Sequence, residues 1–365
     1  MHADRFRRLV TAPGPFVSVF FDDSHDTADA AAQLDARLRD VRKNLEDASV
    51  DPAVIDALDA AVRAKHPPVG RSGRAVIASG TQIVLDERLD VPPPTTVLRV
   101  SELPHIVPVI EHGRLHTTAM LVAVDHTGAD IMLRDGAIRT ESVDGTGHPV
   151  HKAHKADTAG YGGPQGRVDE AVRKNIREVA DRITHLFDEN GVDVVFLTGD
   201  ARTELAAALP ERVAGTAVQL QGGGRTGGTD HAQVEQGIAD ELGKLRVAAL
   251  DDAAQRFAAG RGTGLAVEGL ADVTAALRDG AVDTLIIGDL GEATVVADHD
   301  QLALIGTDAV TVSDLGGAPD RVLRADEALP LLAVSTGAAL VRTDERLAPA
   351  DGIGAVLRYP DIGGR

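Results

Sequence analysis

The sequence predicts an α/β protein built from three domains. Its 365 residues exceed what one ordinary hydrophobic core organises, and 43% of them are hydrophobic, enough for packed interiors. Helical and strand patterns alternate along most of the chain, which is typical of α/β architecture. We place the three domains at residues 1–117, 118–260 and 261–365.

The first domain is predicted to start with an apolar strand followed by two helices. Apolar residues recur at helical spacing from Leu34 to Leu45, and Asp26 or Thr27 is expected to cap that helix. Pro52 suits the first turn of the second helix, and the run Pro92–Pro94 marks a break in the chain. The predicted elements are strand 16–21, helices 28–47 and 52–65, and strands 74–78 and 82–85.

The second domain is predicted to combine paired strands with two long helices. The turn His126–Gly128 separates two apolar strand patterns, and a long polar loop at 144–166 precedes the first long helix. A glycine-rich loop occupies 222–228. The predicted elements are strands 119–125, 129–134 and 137–143, helix 168–189, strand 194–198 and helix 230–258.

The third domain alternates helix and strand, which predicts a compact α/β sandwich. It begins after the glycine-rich run 260–264. The predicted elements are helix 267–278, strands 284–287 and 294–297, helix 324–336, and strands 338–341 and 355–359.

Composition excludes several classes of protein. Cysteine is absent, so neither a disulfide framework nor a thiol nucleophile exists. No apolar run is long enough for a signal peptide or a membrane span, so we expect a cytoplasmic protein without a membrane partner. Aromatic residues make up only 2%, which argues against a base-stacking surface of the kind that binds single-stranded DNA.

The net charge of −19 is unevenly distributed. Residues 1–120 carry −3, residues 121–250 carry −6, and residues 251–365 carry −10. Phosphate would repel the last third, which is expected to face protein or solvent. Any contact with RNA must therefore come from local basic patches in the first two thirds of the chain.

The loop between Thr146 and Val168 is a locally basic segment in an otherwise acidic chain. It holds three Lys or Arg side chains, three His and a single Asp, and loops of this length inside a compact domain are usually functional or disordered. Arginine and lysine side chains continue along the helix that follows, and such cations suit phosphate. The candidate RNA-binding residues are His148, His151, Lys152, His154, Lys155, Tyr161, Gly162, Gly163, Gln165, Arg167, Arg173, Lys174 and Arg177. The alternative is an ordinary surface loop beside a solvated helix face.

Three other patterns are weaker indications of a metal-binding or phosphate-binding site. The three histidines of the loop recur every third residue, but the segment contains Pro149 and glycines, and no carboxylate at zinc-motif spacing supports a metal site. Asp22, Asp23, His25 and Asp26 follow a strand end, where such residues bind Mg²⁺ or simply form turns and caps. The glycine-rich loop lacks the Lys-Ser/Thr pair of a phosphate-binding loop. We expect no cofactor and no metal.

Two segments carry a resemblance to a known family. The run Gly162-Gly163-Pro164-Gln165-Gly166 before a basic helix resembles the Gly-Gly-Gln loop of class-1 release factors and Pelota. Residues 264–288 resemble the start of their C-terminal domain: a helix, an acidic turn, then an apolar strand. The whole chain, including residues 17–27 and 123–130, resembles the actinobacterial branch of bacterial release-factor-like proteins, which includes the Balon-type ribosome hibernation factors.

The resemblance implies an RNase H-like middle domain and an α/β-sandwich C-terminal domain. It also implies binding in the ribosomal A site, with the middle-domain loop near the peptidyl-transferase centre and elongation factor Tu as a partner. In a releasing loop the glutamine positions a water against the peptidyl ester. Here Pro164 interrupts the triplet, removes a donor N–H and displaces Gln165 by one residue.

Three functions remain open at this point. The favoured one is a non-catalytic factor, binding rRNA rather than DNA, that occupies an idle A site under stress. The second is a peptidyl-tRNA hydrolase or rescue factor that uses Gln165. A weaker third is a nucleotide-linked stress protein that never meets RNA.

Overall fold

The computed structural model describes residues 3–65, 70–113, 118–134, 138–146, 164–225, 231–343 and 347–360. These residues form two compact units. One is drawn from residues 1–114 and 247–365, and the other from residues 115–246. The mixed α/β fold predicted from the sequence is confirmed, with helices packed on four separate sheets.

The N-terminal part of the first unit is a four-stranded antiparallel sheet in the order β3-β2-β1-β4. Helices α2 and α3 follow β1, and Asp51 caps α3 by accepting a hydrogen bond from the Ala53 amide at 2.8 Å. The elements are α1 (Arg7–Thr11), β1 (Phe16–Asp22), α2 (Ala30–Asp47), α3 (Pro52–Ala64), β2 (Gly73–Ser79), β3 (Gln82–Leu89), β4 (Val97–Ser101) and α4 (Val107–His112).

The C-terminal part of the first unit holds two small sheets. One has the order β10-β16-β11-β15, and the other has the order β13-β12-β14. The elements are β10 (Ala266–Glu268), α9 (Leu270–Arg278), β11 (Val282–Ile287), β12 (Thr294–Asp298), β13 (Ile305–Gly306), α10 (Ala309–Asp314), β14 (Pro319–Arg324), α11 (Ala325–Ser335), β15 (Ala339–Arg342) and β16 (Ile353–Leu357).

Strand β1 is buried on both faces, so the sheet needs two covering layers. Val17, Val19 and Phe21 pack with α2 and α3 in one core. Phe16 and Phe20 point the other way and belong to a second core that includes residues of α1, α4 and α11. The described residues of the first and third predicted domains therefore share one hydrophobic core.

Helix α11 lies at the centre of this shared core. Nine of its eleven residues are buried, as expected of a helix that is apolar around most of its circumference. Leu329 and Leu332 belong to the same cluster as Phe6, Leu9 and Ile106. Burial of these side chains stabilises the unit by about 1.5–3 kcal/mol for each large apolar residue.

An arginine of β4 closes the polar end of α11. One guanidinium nitrogen of Arg99 lies 2.8 Å from an Asp326 carboxylate oxygen and 3.2 Å from Glu327 Oε1. Burial raises the pKa of Glu327, and burial together with the nearby Arg99 lowers the pKa of His105 to about 4. The N-terminal sheet and α11 are thus joined by a partly buried ion pair as well as by apolar packing.

The second unit is a five-stranded sheet in the order β7-β6-β5-β8-β9. Strands β5, β6 and β7 are antiparallel neighbours, while β8 and β9 run parallel to β5, which agrees with the RNase H-like architecture expected for this segment. The elements are β5 (Ala119–Val124), β6 (Gly128–Arg134), β7 (Ile138–Asp144), α5 (Pro164–Asn190), β8 (Val194–Thr198), α6 (Arg202–Ala208), α7 (Glu211–Ala214), β9 (Ala217–Gln219) and the first part of α8 (His231–Arg261), whose residues from 247 onward belong to the first unit.

Several predicted boundaries are wrong. Helix α5 begins at Pro164 rather than near residue 168, because proline fits the first helical turn, where its missing N–H is not needed. The predicted helix 267–278 is a short strand, β10, followed by α9, because Gly269 breaks the two apart with a φ of +90°. Helix α2 begins at Ala30, and neither Asp26 nor Thr27 occupies its N-cap position, which is Asp29.

Asp23 is buried at the end of β1, where sequence reasoning placed a candidate metal or turn cluster. One Asp23 carboxylate oxygen lies 4.0 Å from Arg74, and the other has no hydrogen-bond partner among the described residues. Arg74 instead donates to Asp86 at 2.9 and 3.1 Å. Burial raises the pKa of Asp23, and the nearby Arg74 and His25 only partly oppose that rise.

Replacing Arg99 by alanine is expected to destabilise the first unit by about 3 kcal/mol, because Glu327 would remain buried without its counter-charge. The double variant Arg99→Met, Glu327→Leu should recover most of that loss, since it removes the buried Glu327 charge together with Arg99, and Asp326 keeps Arg324 as a partner at 3.1 Å. Urea unfolding of both variants measures the difference. A cost for Arg99→Ala below about 1 kcal/mol would show that the ion pair does not hold α11.

Asp23→Asn is expected to stabilise the protein above the raised pKa of Asp23. Below the ordinary pKa of 3.8 the carboxyl is protonated in both folded and unfolded chains, so the variant gains nothing there. As pH rises through the folded-state pKa, the wild type loses stability that the neutral amide keeps. The measurement is the difference in unfolding free energy between Asp23→Asn and the wild type, taken from about pH 3.5 to about pH 8.

Asp86→Asn is the matched control with the opposite sign. Burial alone would raise the pKa of Asp86, but hydrogen bonds from Arg74 and Lys65 outweigh it and lower that pKa. The Asp86 carboxylate therefore contributes stability at neutral pH, which Asp86→Asn should remove. If both substitutions shift stability in the same direction at pH 7, the assigned role of Asp23 is wrong.

Candidate nucleic-acid interface

Helix α5 places a row of cations on the surface of the second unit. Ile176, Val179 and Ile183 recur at helical spacing and pack against the sheet. Burying that face turns Arg173, Lys174 and Arg177 outward, and all three are exposed. The cations therefore follow directly from the amphipathic pattern of the helix.

The cations of α5 differ in whether a carboxylate lies beside them. Arg182 is bound to Glu141 at 2.7 Å, and Lys174 lies 3.8 Å from Glu178. Among the side chains that the structure describes, Arg173 and Arg177 have no carboxylate partner. The Arg177 Nε donates instead to the Arg173 carbonyl at 3.2 Å. The guanidinium groups of both arginines are therefore available to an external anion.

The base of the basic loop is tied to α5 where β7 ends. Thr146 donates its amide and its hydroxyl to the Glu178 carboxylate at 2.8 and 2.6 Å, and these bonds lower the pKa of Glu178. Buried Asn175 donates to the His126 carbonyl at 3.1 Å. A side chain at Gly145 would overlap Asn175, so the backbone passes there only because residue 145 is glycine.

The glycine-rich loop brings a cation to the same end of the sheet. Arg225 donates to Asp144 at 2.6 Å and lies 3.4 Å from Asp130 and 3.5 Å from Asp125. Burial opposes the charge of Arg225, but the Asp144 hydrogen bond and the three carboxylates raise its pKa. Arg225 is thus committed to an internal network, which argues against phosphate binding by its guanidinium.

A groove of about 250 Å³ lies between α5 and α6. Arg173 and Arg177 stand on one side of it, and Glu204 stands on the other. The remaining wall is aliphatic, so the groove combines two cations, one carboxylate and an apolar surface. Its lining residues are Val172, Arg173, Ile176, Arg177, Glu204, Ala207 and Ala208.

The candidate residues predicted from the sequence fall into three groups. Gln165 and Arg167 lie in the first turn of α5. Arg173, Lys174 and Arg177 lie together on the exposed face of that helix. The remaining candidates lie outside the described residues: His148, His151, Lys152, His154, Lys155, Tyr161, Gly162 and Gly163.

The structure brings together groups that sequence reasoning missed. Glu178, Asn175 and Arg225 fix the ends of the loops. The sequence placed Asn175 and Glu178 on a predicted helix and Arg225 in the glycine-rich loop, but it gave no signal of the partners of these three side chains. Within the described ranges, His105, Asp326 and Glu327 place possible metal-ligand atoms within 4.8 Å of one another. Arg99 already pairs with both carboxylates, and Arg324 pairs with Asp326 as well, so this group is an ion-pair network in the first unit.

The cluster after β1 is likewise held by internal contacts. Asp22 pairs with Arg37 at 3.0 Å, and the His25 ring lies 3.2 Å from the Asp23 carbonyl. Its role as a metal or catalytic site gains no support from this geometry.

In the part of the chain that the structure describes, no helix is both long and apolar enough to cross a bilayer.

Comparisons with known proteins place the second unit in a family. Residues 118–263 match the model of bacterial archaeo-eukaryotic release factor family 2. Two Mycobacterium tuberculosis proteins, called uncharacterized protein Rv2629 (strain H37Rv) and MT2704 (strain CDC 1551), are 49% identical to this chain over 364 residues. Each alignment covers 98% of this chain and 97% of the relative.

Two solved structures align along nearly the whole chain. A model of ribosome-bound archaeal Pelota with ABCE1 is 14% identical, covers 98% of this chain and 94% of its own, and gives a TM-score of 0.43. The archaeal translation termination factor aRF1 is 19% identical, with 98% and 97% coverage and a TM-score of 0.24.

The family match over residues 118–263 and the 49% identity along the chain agree with the resemblance found in the loop and helix motifs. The chain belongs to the bacterial archaeo-eukaryotic release factor family.

Proposed function

We propose that this protein is a ribosome-associated translation factor that occupies the A site without catalysing peptide release. The observation that carries the proposal is the pair of exposed arginines, Arg173 and Arg177, on the helix that follows the basic loop; neither has a carboxylate partner among the described side chains. Guanidinium groups without an internal carboxylate partner suit the phosphates of rRNA. Membership of a release-factor family makes the ribosome the natural source of that RNA.

The charge distribution supports one orientation on the ribosome. The net charge of the whole chain is −19, so a random approach to RNA is unfavourable. The middle-domain loop and the start of α5 form the basic exception and would face rRNA near the peptidyl-transferase centre. The acidic last third would face protein, with elongation factor Tu as the proposed partner, in the cytoplasm.

A resting-state role as a hibernation factor is the version we favour. Gln165 lies in the first turn of α5 and is displaced from the Gly162-Gly163 pair by Pro164. A backbone held in a helical turn is poorly suited to reorient and place a water against an ester. The second candidate, a peptidyl-tRNA hydrolase or rescue factor, is supported by the presence of Gln165 beside that glycine pair.

Ribosome binding is expected to depend steeply on salt and on the local cations. About 3–6 phosphate contacts would give a log–log salt slope of that order. Replacing Lys152, Lys155, Arg167 and Arg173 together by glutamine should reduce the slope by about 3 and weaken binding. Co-sedimentation of purified protein with ribosomes across a salt series measures both quantities.

A matched quadruple variant removes the same charge elsewhere. Arg212, Lys244, Arg256 and Arg261 are exposed, and each pairs with a carboxylate. Replacing these four by glutamine should leave the salt slope nearly unchanged. Equal weakening by the two quadruple variants would mean that total charge, rather than the loop and α5, governs binding.

Peptide release separates the two candidate functions. We expect purified protein to release no peptide from ribosomes that carry peptidyl-tRNA, and Gln165→Ala to bind ribosomes as tightly as the wild type. The assay follows labelled peptide after addition of protein to stalled ribosomes. Strong release by the wild type that disappears in Gln165→Ala would establish the hydrolase and overturn the passive role.

A further inference from the structure

We infer that the groove between α5 and α6 holds a single unstacked nucleotide of rRNA, with its phosphates on Arg173 and Arg177 and its base against the aliphatic wall. The inference rests on the proposed ribosome binding. Helix α6, which carries none of the residues predicted from the sequence, contributes Glu204, Ala207 and Ala208 to the groove.

The volume of the groove limits what it can hold. Pockets for drug-sized ligands and cofactors measure roughly 300–1,000 Å³, and this groove, at about 250 Å³, is slightly smaller. It is therefore too small for a dinucleotide cofactor and suits one base with its sugar. The groove is open to solvent on one side, so a nucleotide that remains part of a longer strand can enter it.

The two arginines form the side of the groove that would contact the phosphates of the RNA backbone. Arg173 and Arg177 are one helical turn apart on α5, so their guanidinium groups line the same edge of the groove. Other arginines of this unit pair with carboxylates, as in the pairs Arg182–Glu141 and Arg212–Asp188. Two adjacent phosphates of a strand would supply the charge that this edge lacks.

The opposite side of the groove is suited to a base. Val172, Ile176, Ala207 and Ala208 offer an aliphatic surface that a base can cover. Sequence-specific RNA recognition targets bases splayed out of a single strand, which also stack on arginine guanidinium planes such as those at this groove. Glu204 accepts hydrogen bonds only, so it favours a base with an exocyclic amino group. Glu204 would repel the carboxylates of an acidic peptide, and such a peptide would cover less of the aliphatic wall than a base does.

Filling the groove without changing its charge tests the inference. Ala207→Leu should weaken ribosome binding about 10-fold, or about 1.4 kcal/mol, because the larger side chain takes the space of the base. Its salt slope should stay at the wild-type value, because no cation is removed. Arg173→Gln with Arg177→Gln should instead lower the slope by about 2.

Ala239→Leu is the matched control. Ala239 is an exposed alanine of α8 in the same unit and does not line the groove. The Ala239→Leu variant should bind ribosomes as the wild type does. Thermal unfolding should show that both leucine variants fold. Wild-type affinity for Ala207→Leu would overturn the inference while leaving the proposed function intact, whereas absence of ribosome binding by the wild type would remove both.

Cross-linking identifies the occupant directly. The chain has no cysteine, so Ala208→Cys gives a unique attachment point for a photoactivated reagent at the groove. On ribosomes we expect the cross-link at an unpaired rRNA nucleotide, and Glu204→Gln should reduce its yield several-fold. A cross-link to a ribosomal protein, to base-paired rRNA, or to nothing while the protein is bound would each overturn the inference.

Discussion

The architecture of the first unit depends on the burial of α11. Strand β1 has apolar side chains on both faces, so its sheet cannot be covered by α2 and α3 alone. The second cover comes from α1, α4 and the C-terminal helix α11, which is apolar around most of its circumference. Two segments more than 200 residues apart are thereby joined into one core, and Arg99 fixes the polar end of the junction.

This arrangement leaves the middle of the chain as a separate unit. Residues 115–246 have their own sheet and their own cores, on the two faces of β5 and β8. The first face is covered by α5, and the same packing that buries Ile176 and Ile183 turns the arginines of that helix outward. A structural requirement, covering the sheet, thus produces the surface that we assign to RNA.

Internal pairing decides which cations of this acidic protein remain available. Arg225 and Arg182 are both basic and both lie near the candidate interface, yet each is bound to carboxylates of the sheet. Arg173 and Arg177 have no such partner among the described side chains. Availability for an external anion therefore depends on local neighbours and is only weakly related to the number of basic residues in a segment.

The sequence by itself predicted the α/β class, most helices and strands, and the basic character of the loop and of α5. These features are local, since they depend on hydrophobic period, turn residues and charge within about 20 neighbouring positions. Local signals also explain the errors. Gly269 was not read as a break between β10 and α9, and Pro164 was read as part of a loop although it begins α5.

Only the tertiary structure decided the rest. That β1 shares a core with α11, that Arg225 pairs with Asp144, and that α5 and α6 enclose a groove all require contacts between residues far apart in the chain. Sequence patterns of period two or 3.6 show which face of an element is buried but not against which partner it packs. The choice of partner is made by shape and charge complementarity over the whole fold. Within the described part of the chain, that choice left Arg173 and Arg177 without a carboxylate partner and placed Glu204 across the groove from them.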